Sequence, residues 1–464
     1  MMVLIVGAHF MPPVGAITEG GMKLLGVFLA MLYGWTFCDL IWVSMLGIVA
    51  IGFSGVVTLP EFLVAGFGSD SLVYILFLFF FTGVISDVGL VDYISNKMIS
   101  FKFLTHRPWL FSTFVLIGSF IAAAFINMFA AMIVFWEIIF IVSERFGFKP
   151  KEAWPTLMIF GVAITSIVGG AVMPYKPVPM VVLSTYSETA GVPMDFAKYI
   201  AFALPITILI TLFYVLICRF IFRPDLKNLS QISVDFVDQS KMHLDKKQKA
   251  AIIFLIVFIF MMVAPSILPK EFFLTKAISA LGNTGTILIL LVLMCLIKFD
   301  GEAMADFRKL SGHVNWGVYL TMCFVIPFAS VFTGKGTGIK ETIVGVMQPL
   351  LVGKSEMVFI LLVTGVATIL TNVANNMVIG AIFVTLIVTI GGSMGMDVAP
   401  IVAILIMCVN LSFITPAASA NMAMTFAMKD WVRATDIYKY GTITVVLCLI
   451  FTLVIALPWA NVIY

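Results

Sequence analysis

Long apolar runs, each interrupted at a few polar positions, dominate this chain. One run extends from Met357 to Gly391, 35 residues, and is broken by Thr371-Asn372-Val373-Ala374-Asn375-Asn376. As a single helix it would measure about 50 Å, against a hydrocarbon core of about 30 Å. As two full spans it is too short, because each needs about 20 residues. Two arms of about 15 residues, turning at the asparagines, fit better, and the turn then stops inside the membrane. Backbone that leaves the helix at that depth must line a cavity or be buried in protein. Amide side chains supply oxygen and N–H groups there without the cost of a buried charge.

The pattern occurs twice. Trp109 to Ser143 is also 35 residues, with Asn127 and Glu137 its only amide or charged side chains. Aligned on its break, Asn127 falls on Asn372 and Met132 on Met377, an offset of 245. Lys102 and Arg107 precede this run, and Arg145, Lys149 and Lys151 follow it. Basic residues collect on the cytoplasmic side, so both ends lie there and the run does not cross. Read alone, Asn127 could equally be interhelical glue in an ordinary span; the second copy favours the hairpin.

The rest of the chain divides around these hairpins. Met1 to Pro12 lacks the charged start and cleavage site of a signal peptide and reads as a short first span ended by Pro12-Pro13. Gly21–Phe37, Leu40–Leu59 and Ser71–Ile99 are the next spans, the last with an amphipathic end bearing Asp87, Asp92 and Lys97. Trp154–Ala190 is a broken span, because prolines at 174, 177 and 179 cannot continue a helix ladder. Tyr199–Phe222 is followed by the charged stretch 223–249. The second half repeats the plan with Ala250–Ile267, Ala277–Ile297, Trp316–Phe332, the second hairpin, a span Pro400–Met428 broken at Thr415–Asn421, and Tyr440–Trp459. The organisation is therefore a lead-in at 1–20, a first repeat at 21–222 holding hairpin 109–143, a linker at 223–249, and a second repeat at 250–464 holding hairpin 357–391.

Charge sets the orientation. With the N-terminus inside, eleven spans result and the C-terminus is outside. Of the 27 Lys and Arg, 19 then fall inside, seven outside (Lys23, Lys198, Lys270, Lys276, Lys335, Lys340 and Lys354), and Lys176 within the membrane. Five spans and a hairpin per unit invert the second copy. Inverted repeats with helices broken near the midplane are the plan of secondary transporters, whose half-helix N-termini offer N–H groups and a positive dipole end to an anion.

Composition narrows the class further. The 464 residues are 62% hydrophobic and 11% charged, which places an all-α polytopic protein in a cell membrane, the bacterial inner membrane in this reading, and not in a β-barrel. A net charge of +3 reflects loop bias and implies no nucleic acid. Six scattered cysteines and His9, His106, His243 and His313 form neither a zinc pattern nor a disulfide framework, and no catalytic constellation of an intramembrane enzyme is visible. Gly334-Lys335-Gly336-Thr337-Gly338 lacks the spacing of a phosphate loop. A channel needs no pair of occluding tips. An inorganic-anion carrier or a cation/proton antiporter is the alternative; the antiporter would want a membrane-centre carboxylate pair, and only Glu137 is offered.

At these residues the chain resembles the divalent anion:sodium symporter family, the di- and tricarboxylate carriers of the ion transporter superfamily. Pro12-Pro13-Val14-Gly15 with Leu24–Ala30 is similar to the family's opening, and His313-Val314-Asn315-Trp316-Gly317-Val318 to its ninth-span lead-in. The family's Ser-Asn-Thr hairpin motifs correspond to Ile126-Asn127-Met128 and Thr371-Asn372-Val373. The resemblance implies a homodimer with scaffold and transport domains that moves substrate by an elevator motion. It implies a small dicarboxylate bound by Asn127 and Asn372, with Thr371, Thr415 and Ser419 around the second hairpin's site; Met128, Lys176, Pro177, Val373 and Pro416, at or beside the same tips and breaks, complete the candidate set. It also implies a sodium site around Thr368, Thr371, Asn372 and Ala418, Na+ being the only ion called for and no other cofactor.

Two departures from the family pattern matter. Ile126 and Met128 remove both hydroxyls from the first motif, and Lys176 stands where the family has a glycine that helps to hold the first sodium. A lysine ammonium there would supply the same positive charge permanently. That favours an exchanger with reduced or no sodium dependence. The plainer reading is that Lys176 snorkels or pairs with Glu137 on the returning arm. Asn375 and Asn376 are expected to cap the returning arm of the second hairpin, substrate contact being the alternative, and Asn421 to cap the second half of the broken tenth span.

Overall fold

The computed structural model describes residues 1–39, 41–231, 243–269, 271–299, 301–314, 316–332, 334, 336–339, 341–342 and 356–464. Leu40, Lys270, Asn315, Lys335, Lys340, Lys354 and positions 232–242 of the linker lie outside them.

The chain is mostly helical. Helix α1 is Met2–Ala8 and α2 is Glu19–Phe37. Seven residues give α1 a length of about 10 Å, too short to cross a bilayer, so the expected first span is not formed by this helix. It lies against α2, where Gly26 has Ala8 as its neighbour. Helix α3, Ile41–Gly52, ends earlier than the expected span because Phe53-Ser54-Gly55 turns the chain, with Gly55 at φ +74°. Thr58 and Glu61 then form a reciprocal capping box that starts α4, Leu59–Phe67. Helices α5, Asp70–Asp87, and α6, Leu90–Ile99, are separated by Gly89 at φ +72°, which is where the fourth span passes into its amphipathic end.

The first hairpin is α7, Pro108–Phe125, and α8, Met128–Arg145. The broken span that follows is α9, Ala153–Gly169, and α10, Pro177–Ala190. Contacts fix how these run. Trp154 donates to Ser112 Oγ at 3.0 Å and the Ser119 and Ser166 hydroxyls lie 3.1 Å apart, so α7 and α9 are parallel. Trp136 donates to the Ile159 carbonyl at 2.9 Å and Met128 sits against Gly170, so α8 is antiparallel to both. The two arms therefore fold back on each other and the tip lies level with the break of α9. Each arm has 18 residues, about 27 Å, longer than the expected 15.

Small residues make this packing possible. A Cβ at Gly169 would lie 2.7 Å from the Phe120 carbonyl oxygen, and one at Gly118 would lie 2.7 Å from the Phe135 ring. Gly169→Val should push α9 off the hairpin and cost about 1–3 kcal/mol. A melting temperature equal to that of the parent protein would show that the seam is looser than drawn.

Helix α11 is Phe196–Ile217, extended by a π-helical turn at Cys218–Phe222. Then come α12, Lys246–Ile267, and α13, Phe273–Leu296. A two-stranded antiparallel ribbon, Lys298–Phe299 with Glu302–Ala303, is the departure from the all-α expectation. It leads through α14, Phe307–Leu310, to α15, Trp316–Phe332. The second hairpin is α16, Glu356–Thr371, and α17, Asn376–Leu386, with a π-helical turn to Gly391. Its broken partner is α18, Val398–Val409, and α19, Ala420–Ala427; α20, Ala434–Phe451, and α21, Leu457–Ile463, close the chain. Gly391 adjoins Val398 and Phe359, while Thr371 donates to the Val409 carbonyl at 2.8 Å. So α16 runs parallel to α18, with α17 antiparallel, as in the first half.

Among the described residues, five helices are long and apolar enough to cross a bilayer unaided, or six if the bent pair α4–α5 is one span. One of the five is the first hairpin's arm Pro108–Phe125, whose fold-back on α8 the contacts above establish. Contacts join segments that the charge-based topology places on one side: Thr18 with Gly336, and Lys198 with Tyr464 at one end. At the other end they join Asp87 with His313, Val88 with Gln248, and Lys151 with Trp431.

Candidate functional site

The first tip is built by a helix break. The chain leaves α7 at Ile126 and re-enters helix at Asn127, whose backbone is extended at φ −147° and ψ 128°. The Asn127 side-chain oxygen accepts from Phe129 N at 2.9 Å and Ala130 N at 3.1 Å, capping α8. The break frees carbonyls at the negative end of α7. Lys176 Nζ donates to the Ile126 carbonyl at 3.0 Å, and Tyr175 OH donates to the Phe125 carbonyl at 3.4 Å. Lys176 is 5% exposed, lies 5.5 Å from the Tyr175 ring centroid, and has no carboxylate within ion-pairing distance among the described residues. Glu137 is exposed, so Lys176 neither pairs with it nor snorkels to water.

Lys176 also stands immediately before α10, with Pro177 at the first helical position. Both α8 and α10 therefore begin here and direct their positive ends to the same place. A cavity of about 330 Å³ opens at that point, at the small end of the range for ligand pockets. Asn127, Met128, Lys176 and Pro177 line one wall. The opposite wall is Thr82 and Ser86, one turn apart on α5, and His313 in the lead-in to α15. At the rim His313 Nε2 lies 2.9 Å from Asp87 Oδ2. The opposite wall was missed by the reading of the sequence. The polar face of α5 and the His313 lead-in were its available signals, but nothing local says that they meet.

The second tip forms a different arrangement. Asn372 is 4% exposed; its Nδ2 donates to the Thr368 and Leu411 carbonyls, both at 2.8 Å, and its Oδ1 accepts from Ile414 N at 2.9 Å. Thr415 Oγ1 donates to the Asn372 carbonyl at 2.6 Å. With Thr371 on Val409, these bonds latch the tip to the break after α18. Thr368 donates to the Thr364 carbonyl and is buried, as is Ala418. Ser419 is the side chain that caps α19, accepting from Met422 N at 3.3 Å. Asn421 is not the cap: its amide lies 2.9 Å from Met132 Sδ and ties α19 to α8 near the first tip. Asn375 does cap the returning arm, through Met377 N at 3.0 Å. Val373 and Pro416 are exposed, and none of Thr371, Asn372, Val373, Thr415, Pro416 and Ser419 lines the cavity.

Apolar helices, two folded-back hairpins and a buried lysine facing a small cavity describe a multi-pass membrane protein. The family can then be stated: the profile of the citrate transporter family (CitMHS) matches residues 27–410, and the chain belongs to that family. It is similar to the sodium-dependent dicarboxylate transporter SdcS of Staphylococcus saprophyticus, 23% identical over 67% of this chain and 63% of that protein. It is also similar to an uncharacterized transporter of Haemophilus influenzae, 20% identical over 63% of this chain and 60% of the relative. The match thus spans about three fifths of the length of these relatives. The crystal structure of the Alcanivorax borkumensis YdaH transporter shares the fold, with a TM-score of 0.60 at 13% identity over 96% of this chain and 98% of that one.

Proposed function

We propose that the protein is a secondary carrier of small dicarboxylates, working by alternating access as an exchanger with little or no sodium dependence. The observation that carries this is the buried Lys176 ammonium between two helix N-termini at the 330 Å³ cavity. An anion entering there meets the Lys176 side chain, whose positive charge it would stabilise, the cap of α8 and the hydroxyls of Thr82 and Ser86. An empty carrier leaves that ammonium with one carbonyl partner, which disfavours return without cargo. The like build of the two hairpin modules supports inverted repeats of five spans each, with the C-terminus outside. The packing of modules α7–α10 and α16–α19 on one another fits a transport domain that rides on a scaffold as an elevator, in a homodimer.

A second reading is sodium-coupled di- or tricarboxylate symport. Its support is the name of the Staphylococcus relative and the oxygen donors of the second break. Thr368, Thr371, Asn372 and the backbone at Ala418 would hold the ion there, a donor set that suits a hard cation. Sodium would add charge that draws the anion in.

Thermal shifts of the purified protein against malate, succinate, fumarate, 2-oxoglutarate, tartrate and citrate, with and without sodium, separate the readings. A dicarboxylate should stabilise it in sodium-free buffer, by about 2.7 kcal/mol at 100 times Kd. Proteoliposomes loaded with dicarboxylate should then exchange it for labelled substrate. Uptake that needs two or more sodium ions per substrate would overturn the exchanger.

A further inference from the structure

A second cavity lies away from the transport site, between the stem of the first hairpin and α11. Its volume is about 590 Å³. Arg107 and Arg219 stand at its polar end, and Trp109, Leu212, Val215 and Leu216 make its apolar wall. Both arginines are exposed, and neither has a carboxylate within ion-pairing distance among the described residues. The Arg219 guanidinium lies 6.0 Å from the Trp109 ring centroid and 5.7 Å from that of Phe220. It is held by the π-helical turn Cys218–Phe222, a local distortion of a kind frequent at functional sites. Below the arginines, Leu212 and Leu216 are 36% and 48% exposed, so the wall opens to the surroundings of the helix.

We propose that this cleft binds the headgroup of an anionic phospholipid. The phosphodiester sits between Arg107 and Arg219, and one acyl chain runs down Leu212 and Leu216. Each part of the cleft matches one part of that ligand. Guanidinium groups bind phosphate oxygens in bidentate fashion. A tryptophan ring with one apolar body and one N–H belongs at headgroup depth. Basic pockets between membrane helices are known to hold anionic headgroups. A soluble anion would satisfy the arginines but would leave the apolar wall unused. The lipid would brace the start of α7, the arm that leads to the Asn127 tip, so its effect would be read in the stability of that hairpin.

Native mass spectrometry of the full-length protein with equimolar phosphatidylglycerol and phosphatidylcholine tests this. The parent protein should retain phosphatidylglycerol in preference to phosphatidylcholine. One arginine near an anionic surface contributes roughly fivefold, so Arg107→Gln with Arg219→Gln should reduce the preference on the order of tenfold or more. Arg219→Lys, which keeps the charge but not the bidentate fork, should retain only part of it, more than Arg219→Gln does. The parent protein alone already decides the matter if the double variant fails to fold: equal retention of the two lipids overturns the proposal. So does a double variant that folds and keeps the full preference. In a thermal-shift arm, phosphatidylglycerol should stabilise the protein and inorganic phosphate at equal charge should not. An equal shift with phosphate would show a free anion site instead and overturn the lipid assignment.

Discussion

Lys176→Met should abolish anion-dependent stabilisation and exchange while leaving the empty protein folded. Methionine keeps the length and apolar contacts of the lysine stem, so the packing beside Tyr175 is preserved. The ammonium it removes is buried with one carbonyl partner and no carboxylate among the described residues. An isolated buried charge costs stability, so the ligand-free melting temperature should stay level or rise. For the bound anion the sign reverses. A charge pair at about 4 Å is worth about 4 kcal/mol at an effective dielectric of about 20. Affinity should therefore weaken on the order of a hundredfold or more, and thermal shifts at formerly saturating dicarboxylate should vanish. A variant that binds with the parent's Kd would remove Lys176 from the site.

The two hairpin asparagines should respond oppositely to truncation, although their sequence settings are alike. Asn372→Ala strips partners from the Leu411 carbonyl and from Ile414 N, both next to a buried break. Each unsatisfied buried group costs about 1–3 kcal/mol, so a loss of about 3–5 kcal/mol is expected, with a melting temperature several degrees lower. Asn127→Ala loses a helix cap, worth about 1 kcal/mol. Its larger effect should fall on ligand affinity, because Asn127 lines the cavity. Asn127→Ser would keep a cap and so isolate the affinity effect. Equal stability losses at 127 and 372 would contradict this division of roles.

Much of this architecture is legible in the chain, and the reasons are local. Asn127 and Pro174 break apolar runs where no loop is long enough to leave the membrane, and Pro177 and Pro179 mark the first turn of the helix that resumes. The hairpins and the first broken helix follow directly. Arm lengths are less legible: Pro108 starts α7 one residue before Trp109, and Arg145 stays helical two residues past Ser143. The early end of α3 hides in an apolar stretch where two glycines stop the helix without any charge to mark it. Ser419 and Asn421 are equally good caps by type, and only the neighbour Met132 separates their roles. One wall of the cavity was visible. Lys176 stands out as a charge in a broken span, but its facing wall on α5 is distant in sequence and has no motif of its own. The division between a cavity-lining first tip and a latched second tip is invisible to an alignment of the two hairpins, because both carry asparagine at the same register.

The Lys176 ammonium, with no carboxylate partner among the described residues, has an electrical consequence. A carrier that keeps this charge through its cycle would bring a divalent anion across as a net single negative charge and return empty as a single positive one. Each step then feels the membrane voltage, by about 2.3 kcal/mol per charge per 100 mV. A negative interior would hold the empty form with its cavity inward and speed the outward passage of the loaded form, so voltage alone would bias such a carrier towards export, and exchange of one dianion for another would be electrically silent.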